Sequence, residues 1–246
     1  MNELIEVTVA GNLIKYRDGD RVGRALTAKG IYERRTAGIV QRIRPGGTFI
    51  DIGAHVGYFS LMAAAKVGPD GTIYAVEAGP DNFALLCENV RVNGFENIHP
   101  IHCAAWDKEE ALYFAENGPL GQVQDGPRKG REPITGQPMD WLFGHLRPDL
   151  IKMDIQGAEG KALAGMPETL AGAAAIIVEI WPNGLAQFGS SHSEILEALE
   201  AAHFEAIVLG KETPRVADFD FFALAQPEPG RVGRHVEIYG TKAGTA

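Results

Sequence analysis

The residue types best suited to ligand chemistry lie in one short segment, Asp51-x-Gly53-x-x-x-Gly57. It follows the β-branched apolar run Thr48–Ile52, which predicts a strand, and it leads into an Ala-rich helical run that begins at Tyr58. Glycine permits the tight turn that must join the two elements, and a helix N-terminus offers unpaired N–H groups to a carboxylate or phosphate. The segment therefore indicates a turn at which a small charged ligand binds.

A second acidic residue, Glu77, ends the next apolar run, 26 residues after Asp51. A carboxylate in this position can accept hydrogen bonds from both ribose hydroxyls of an adenosine. The other interpretation is a solvated carboxylate at a strand end, but the preceding glycine turn favours the nucleoside. Dinucleotide cofactors usually meet G-x-G-x-x-G, whereas this chain has one glycine fewer and an acid before the turn. An acid aimed at the site suits S-adenosylmethionine, which carries an ammonium, a sulfonium and an adenosine.

A third candidate group is Lys152, Asp154 and Glu159, at and after the apolar run Leu150–Ile155. Residues two apart on a strand face the same side, so Lys152 and Asp154 are expected to be neighbours. In a doubly wound sheet ligands bind at this carboxyl end of the strands. A methyl acceptor must be positioned there, and a carboxylate can take its hydroxyl proton. The alternative is a structural Lys–Asp pair with Glu159 capping a helix.

Short apolar strands alternate with helices through the chain, which is typical of an α/β fold. The predicted fold is a doubly wound, mostly parallel Rossmann-like sheet with helices on both faces and an N-terminal hairpin-and-helix extension. Residues 1–45 are the predicted extension and 46–246 the predicted cofactor-binding domain. Within it, the Gly- and Pro-rich insertion 116–138 is interpreted either as a flexible surface loop or as a lid over the substrate.

The predicted elements of the extension are strands over Leu4–Val9 and Leu13–Tyr16 and a helix over Tyr32–Arg44, with no element assigned to residues 17–30. The remaining predicted helices run over Tyr58–Val67, from Gly79-Pro80 to Val92, and from a cap at Ser193. The predicted strands of the domain are Thr48–Ile52, Thr72–Glu77, Asn97–Cys103, Leu150–Ile155, Ala175–Ile180, Phe204–Leu209 and His235–Gly240.

Composition narrows the class of protein. The net charge of −9 and the pI near 5.3 argue against binding to a nucleic-acid backbone. Two cysteines cannot build a disulfide framework, and no zinc-ligand motif or other metal site is predicted. No apolar run is long enough to span a membrane and the N-terminus has no signal-peptide pattern, so a cytoplasmic location is expected.

The sequence resembles the FkbM family of S-adenosylmethionine-dependent methyltransferases from about Thr48 to Glu179. The stretches that carry the resemblance are Phe49–Leu61, Val76–Gly94, Ala104-Ala105-Trp106-Asp107, Pro138–Leu142 and Leu150–Glu159, the last being the most specific. Two positions depart from the family: His55 stands where Asn is usual, and Gln156 where Glu is usual. The lost charge at Gln156 puts in doubt any metal-binding or acid–base scheme that uses that position.

The resemblance implies an activity and a set of site residues. Lys152, Asp154 and Glu159 would lie on the methyl-transfer side. The implied cofactor-binding residues are Tyr32, Glu33, Asp51, Gly53, Ala54, His55, Gly57, Tyr58, Glu77, Ala78, Asn82, Ala105 and Asp154. The expected function is O-methylation of a hydroxyl on a small molecule, sugar or glycan. A nicotinamide-dependent oxidoreductase and a non-catalytic S-adenosylmethionine-binding module remain alternatives, and the sequence leaves open whether the chain forms a homo-oligomer.

Overall fold

The computed structural model describes residues 3–115, 122–124, 133–209 and 219–225. Its strands are β1 (Leu4–Val9), β2 (Asn12–Arg17), β3 (Thr48–Ile52), β4 (Thr72–Glu77), β5 (Ile98–His102), β6 (Ala104–Ala105), β7 (Glu110–Ala115), β8 (Gln122–Gln124), β9 (Ile134–Gln137), β10 (Leu150–Met153), β11 (Ala175–Ile180), β12 (Phe204–Val208) and β13 (Phe219–Ala225). Its helices are α1 (Arg21–Lys29), α2 (Arg34–Val40), α3 (Tyr58–Val67), α4 (Pro80–Asn93), α5 (Asp140–Phe143), α6 (Glu159–Ala164), α7 (Pro167–Gly172), α8 (Pro182–Gln187) and α9 (His192–Ala201).

A central sheet of seven strands has the order β12-β13-β11-β10-β3-β4-β5. The five strands from β11 to β5 pair in parallel, and β13 pairs antiparallel to both β11 and β12. A separate hairpin, β1 and β2, forms the start of the chain. The predicted mostly parallel α/β sheet with an N-terminal hairpin is therefore confirmed.

Alternate residues of the parallel strands enter two different cores, because successive side chains of a strand point to opposite faces. Phe49 packs with α3 and α4 residues such as Leu61 and Leu86, whereas its neighbour Ile50 packs with Phe143 of α5 and other residues of the opposite layer. Burial on both faces explains why these strands are continuous apolar runs.

Several element boundaries differ from those predicted. The helix expected over Tyr32–Arg44 is shorter, since α2 begins after Glu33, whose φ of +41° is not helical. Residues 17–30, left unassigned, contain α1, which the Asp20 side chain caps by accepting a hydrogen bond from Gly23. Helix α9 is capped by Ser191 and not by Ser193, because Ser191 forms a capping box with Glu194.

The chain beyond β5 holds elements that the sequence did not predict. Strands β6, β9, β7 and β8 form a small four-stranded sheet that includes parts of the insertion 116–138. Strand β13 inserts between β11 and β12, where no strand was predicted. The predicted strand His235–Gly240 lies outside the described residues, as do 116–121 and 125–132.

Candidate active site

A cavity opens at the carboxyl ends of β3, β4, β10 and β11 and encloses about 1070 Å³ of space, part of it open to solvent. Parallel strands bring their carboxyl ends to one edge of the sheet, which is where doubly wound folds place ligands. Residues 21, 22 and 32 of the N-terminal extension close one side of the cavity. The predicted site residues that line it are Tyr32, Gly53, Ala54, His55, Tyr58, Glu77, Ala78, Asn82, Ala105, Lys152 and Asp154.

The turn after β3 is held between its two neighbouring strands. The backbone N–H groups of Gly53 and Ala54 both donate to the carbonyl of Val76, at 2.9 Å each. Gly53 has φ +83°, and a Cβ there would lie 2.0 Å from the carbonyl oxygen of Asp154. The turn therefore requires glycine for its conformation and for its close approach to β10. Gly57, at φ +90°, precedes α3 and does not line the cavity.

Asp51 lies behind the cavity wall. Its side chain is fully buried, accepts a hydrogen bond from Ser60 Oγ at 2.7 Å, and lies 3.7 Å from Lys152 Nζ. Burial raises the pKa of the Asp51 carboxyl above its ordinary value, against the opposing charge of Lys152. Asp51 thus links β3, α3 and β10. It does not line the cavity itself but contacts Lys152, which does.

Glu77 projects into the cavity from the end of β4. One carboxylate oxygen accepts from the backbone N–H of His55 at 2.8 Å and the other from that of Gly79 at 2.7 Å. Burial raises the pKa of this carboxyl, although His55, Gly79 and Asn82 act in the opposite direction. A carboxylate oxygen has a second lone pair, so a carboxylate held in this way can still accept a hydrogen bond from a ligand hydroxyl.

His55 joins the cavity to the N-terminal extension. Its Nε2 lies 3.0 Å from Asp20 Oδ2, and the other oxygen of Asp20 accepts from Gly23 at the start of α1. Burial lowers the pKa of His55, but the hydrogen bond and charge of Asp20, together with the charges of Glu77 and Asp154, outweigh burial, so the pKa is raised overall. This contact fixes α1 beside the turn. No sequence motif predicts it.

Tyr32 and Glu33 differ in position. Tyr32 lines the cavity, and its ring meets that of Tyr58 edge-on at a centroid distance of 6.5 Å. Burial raises the pKa of the Tyr32 hydroxyl, as do the neighbouring charges of Glu33 and Asp154. Glu33 itself does not line the cavity.

Lys152 and Asp154 form the centre of the opposite wall. Lys152 is 3% exposed, and its Nζ lies 3.8 Å from Asp154 and 5.3 Å from the centroid of the Phe59 ring. Burial lowers the pKa of this ammonium, but Asp154 and Asp51 raise it overall. Burial likewise raises the pKa of Asp154, while the charge of Lys152, a hydrogen bond shared with Glu179 and one donated by Gln156 hold it below its ordinary value. At neutral pH the pair is therefore ionised.

Glu179, which the sequence analysis did not select, also lines the cavity from β11. Gln156 Nε2 donates both to Asp154 Oδ1 at 2.6 Å and to Glu179 Oε2 at 2.8 Å. The available signal was an acid near the end of an apolar strand, the same pattern that selected Glu77. The run Ala175–Ile180 that contains Glu179 also resembles an ordinary core strand, so the sequence alone does not indicate a site there.

Glu159 lies at the start of α6 and does not line the cavity. It is 1% exposed and accepts a hydrogen bond from the backbone N–H of Ile155 at 3.1 Å. Burial raises its pKa to about 7, against hydrogen bonds from the backbone of the same turn. The contacts of Glu159 are therefore with the turn that carries Asp154 and not with the cavity.

The cavity lining also includes a cysteine. Cys103 lines the cavity next to Ala105, and burial raises its pKa to about 11.

Among the described residues, no group of three or more His, Cys, Asp or Glu side chains is placed to hold a metal ion. None of the helices in the described part of the chain is long and apolar enough to cross a membrane.

Comparison with solved structures identifies the fold. The structure is similar to a SAM-dependent methyltransferase from Aquifex aeolicus, with a TM-score of 0.50, 16% identity, and coverage of 85% of this chain and 95% of that chain. It is also similar to Methyltransferase FkbM from Methylobacillus flagellatus KT, with a TM-score of 0.49, 19% identity, and coverage of 72% of this chain and 43% of that chain. The fold is that of a Rossmann-like methyltransferase.

The family follows from the sequence. Residues 51–206 match the family model described as the methyltransferase FkbM domain, so the chain belongs to the FkbM methyltransferase family, and its cofactor is S-adenosylmethionine. A local match to the arsenite methyltransferase of Halobacterium salinarum has 39% identity over 54 residues, which are 22% of this chain. The match spans only 14% of the length of that relative.

Proposed function

We propose that this protein transfers the methyl group of S-adenosylmethionine to a hydroxyl of a small molecule, sugar or glycan. The observation that carries the proposal is Asp154, an ionised carboxylate that lines the cavity beside the buried ammonium of Lys152. Such a carboxylate can orient a hydroxyl and take its proton as the hydroxyl oxygen attacks a methyl group.

The cavity residues fit the proposed cofactor. Glu77 offers two fixed carboxylate oxygens for the two ribose hydroxyls, and its burial strengthens these hydrogen bonds. The small side chains of Ala78, Cys103 and Ala105 leave room for a flat base on the side of β4 and β5. Gly53 lines the cavity without adding a side chain to it. The cofactor, when bound, supplies a methyl group activated by a sulfonium.

The cationic end of the cofactor is proposed to lie in the cavity beside the turn at Gly53 and the side chain of Asp154. The acids Asp154 and Glu179 line this part of the cavity, and Lys152 Nζ lies between Asp51, at 3.7 Å, and Asp154, at 3.8 Å. This charge distribution suits an ammonium and a sulfonium, because opposite charges attract strongly in a site shielded from water. It also leaves Asp154 between the cofactor and the acceptor.

The cofactor is tested without knowledge of the acceptor. Calorimetry should show binding of S-adenosylmethionine and S-adenosylhomocysteine, and NADH should give no heat of binding. Glu77→Ala should weaken binding, whereas Asp70→Asn, in an exposed turn, should leave it unchanged. Binding of NADH in preference to S-adenosylmethionine would refute the proposed function.

The acceptor is tested by a screen of hydroxylated metabolites, sugars and glycans for release of S-adenosylhomocysteine. With an acceptor in hand, Asp154→Asn should lower kcat by at least about 100-fold, since general-base catalysis contributes that much. Cofactor affinity should also fall, since the charge of Asp154 is proposed to attract the cationic end, so kcat is compared at saturating S-adenosylmethionine. Full activity of Asp154→Asn would refute the role of the carboxylate, and methylation confined to amines would refute O-methylation.

A further inference from the structure

Two carboxylates meet at the acceptor side of the cavity because of strand register. Met153 of β10 pairs with Val178 of β11 in parallel, so the next residues, Asp154 and Glu179, lie side by side. Neighbouring strands are only about 4.8 Å apart. Like charges at that separation oppose each other's ionisation. The sheet therefore imposes an electrostatic conflict at this point.

The side-chain amide of Gln156 contacts both of these carboxyl groups, which also share a hydrogen bond with each other. Its Nε2 donates to Asp154 Oδ1 at 2.6 Å and to Glu179 Oε2 at 2.8 Å. An amide nitrogen carries two N–H groups, so it can satisfy one oxygen of each carboxylate at once. This is the position that a cation bridging the two carboxylates would take.

The backbone around Gln156 holds the amide in that position. Gln156 has φ +56°, a left-handed conformation that costs a residue with a side chain about 1 kcal/mol or more. The next residue, Gly157, has φ +109°, and a Cβ there would lie 2.4 Å from the backbone of Gly184. The turn is thus packed against the start of α8, and the strained conformation directs the Gln156 side chain toward the two acids.

We propose that Gln156 is the positioning residue of the acceptor side, and that its amide replaces a divalent cation between Asp154 and Glu179. The inference rests on the proposed function only in calling this the acceptor side. It makes residue 156 the switch between two kinds of site. A glutamate there would bring three carboxylates within hydrogen-bonding distance of one another, and carboxylate oxygens are the ligands that Mg²⁺, Mn²⁺ and Ca²⁺ prefer.

The test is Mn²⁺ binding by the full chain. Calorimetry and the EPR signal of free Mn²⁺ each measure this binding. Gln156→Glu should bind Mn²⁺ at least about tenfold more tightly than the wild type, because it adds a third carboxylate ligand. Gln187→Glu, in an exposed position at the end of α8, is the matched control and should bind as the wild type does. The double variant Gln156→Glu/Glu179→Gln should lose the gain, which locates the ion.

A second variant covers the case in which Gln156→Glu does not fold. Gln156→Leu removes both donors without adding charge, so the two carboxylates should attract Mn²⁺ with an affinity between those of the wild type and Gln156→Glu. Equal Mn²⁺ affinity of the wild type and of every folded Gln156 variant would overturn the inference. Calorimetry with S-adenosylmethionine on the same proteins separates the two proposals, because absent cofactor binding by the wild type would overturn the proposed function and leave the Mn²⁺ comparison standing.

Discussion

Gly53→Ala tests the close approach of β3 and β10, on which the site depends. Gly53 has φ +83°, and the added Cβ would lie 2.0 Å from the carbonyl oxygen of Asp154. An unstrained contact begins near 3.4 Å, so the two chain segments would have to separate by more than 1 Å. The two nearest atoms, the oxygen and carbon of the Asp154 carbonyl group, belong to the backbone and cannot move aside as a flexible side chain would.

The expected loss has two parts. The left-handed conformation costs alanine about 1–2 kcal/mol relative to glycine. Forcing extra volume into a packed site costs a further ~1–3 kcal/mol. Gly94→Ala is the matched control, because Gly94 has φ +70° but no atom within 4 Å of the added Cβ. It should lose only the conformational part, so Gly53→Ala should be the less stable variant by about 1–3 kcal/mol.

Urea unfolding measures the loss of stability in both variants, and calorimetry measures their affinity for the cofactor. Gly53→Ala should also weaken binding of S-adenosylmethionine, since it displaces the segment that carries Asp154, whereas Gly94→Ala should not. Losses of stability that agree within about 0.5 kcal/mol, the usual error of such comparisons, would show that the contact with Asp154 is unimportant.

Three further substitutions test single interactions. Glu159→Gln should remove a pH dependence of stability, because the pKa of the Glu159 carboxyl is raised from 4.5 to about 7 in the folded protein. As the pH rises from 4.5 to 7, the wild type should lose up to about 3 kcal/mol of unfolding free energy relative to the variant. Urea unfolding at each pH measures this difference. Ser191→Ala should cost about 1 kcal/mol of stability through the lost cap of α9, with cofactor affinity unchanged in calorimetry. Glu77→Gln should weaken cofactor binding at least about tenfold, because an amide offers one acceptor oxygen in place of two.

The sheet was predictable because its signals are local. Continuous apolar runs such as Thr48–Ile52 and Ala175–Ile180 mark strands buried on both faces, and both runs have the predicted bounds. Helix α1 was missed because its sequence is polar and contains Gly23. The structure gives the reason for that glycine, since a Cβ there would lie 2.0 Å from the Tyr16 ring. Close packing against β2 outweighs helix propensity, and the sequence carries no sign of that contact.

The cavity residues likewise fall into those that a local sequence pattern predicts and those that it does not. Gly53 and Glu77 belong to local patterns of strand, turn and helix, and both line the cavity. The contact of Asp20 with His55 joins residues 35 positions apart and depends on how the extension packs. Glu179 became visible only when the register of β10 and β11 placed it beside Asp154. Contacts between distant segments follow from the tertiary fold, which no local pattern encodes.

A parallel sheet gathers its strand ends at one edge, and in this chain those ends carry acids. Asp51, Glu77, Asp154 and Glu179 converge there, and only Lys152 brings a full positive charge from the strands themselves. The remaining compensation comes from loops: backbone N–H groups hold Glu77, and the amide of Gln156 joins Asp154 to Glu179. These donors are neutral, so they leave the acids their negative charge, which can attract a cationic cofactor against the opposing charges of Lys152 and Arg21, both of which line the cavity. The same negative charge should disfavour anionic acceptors, so phosphorylated or carboxylated compounds should be poorer acceptors than their neutral counterparts in the acceptor screen.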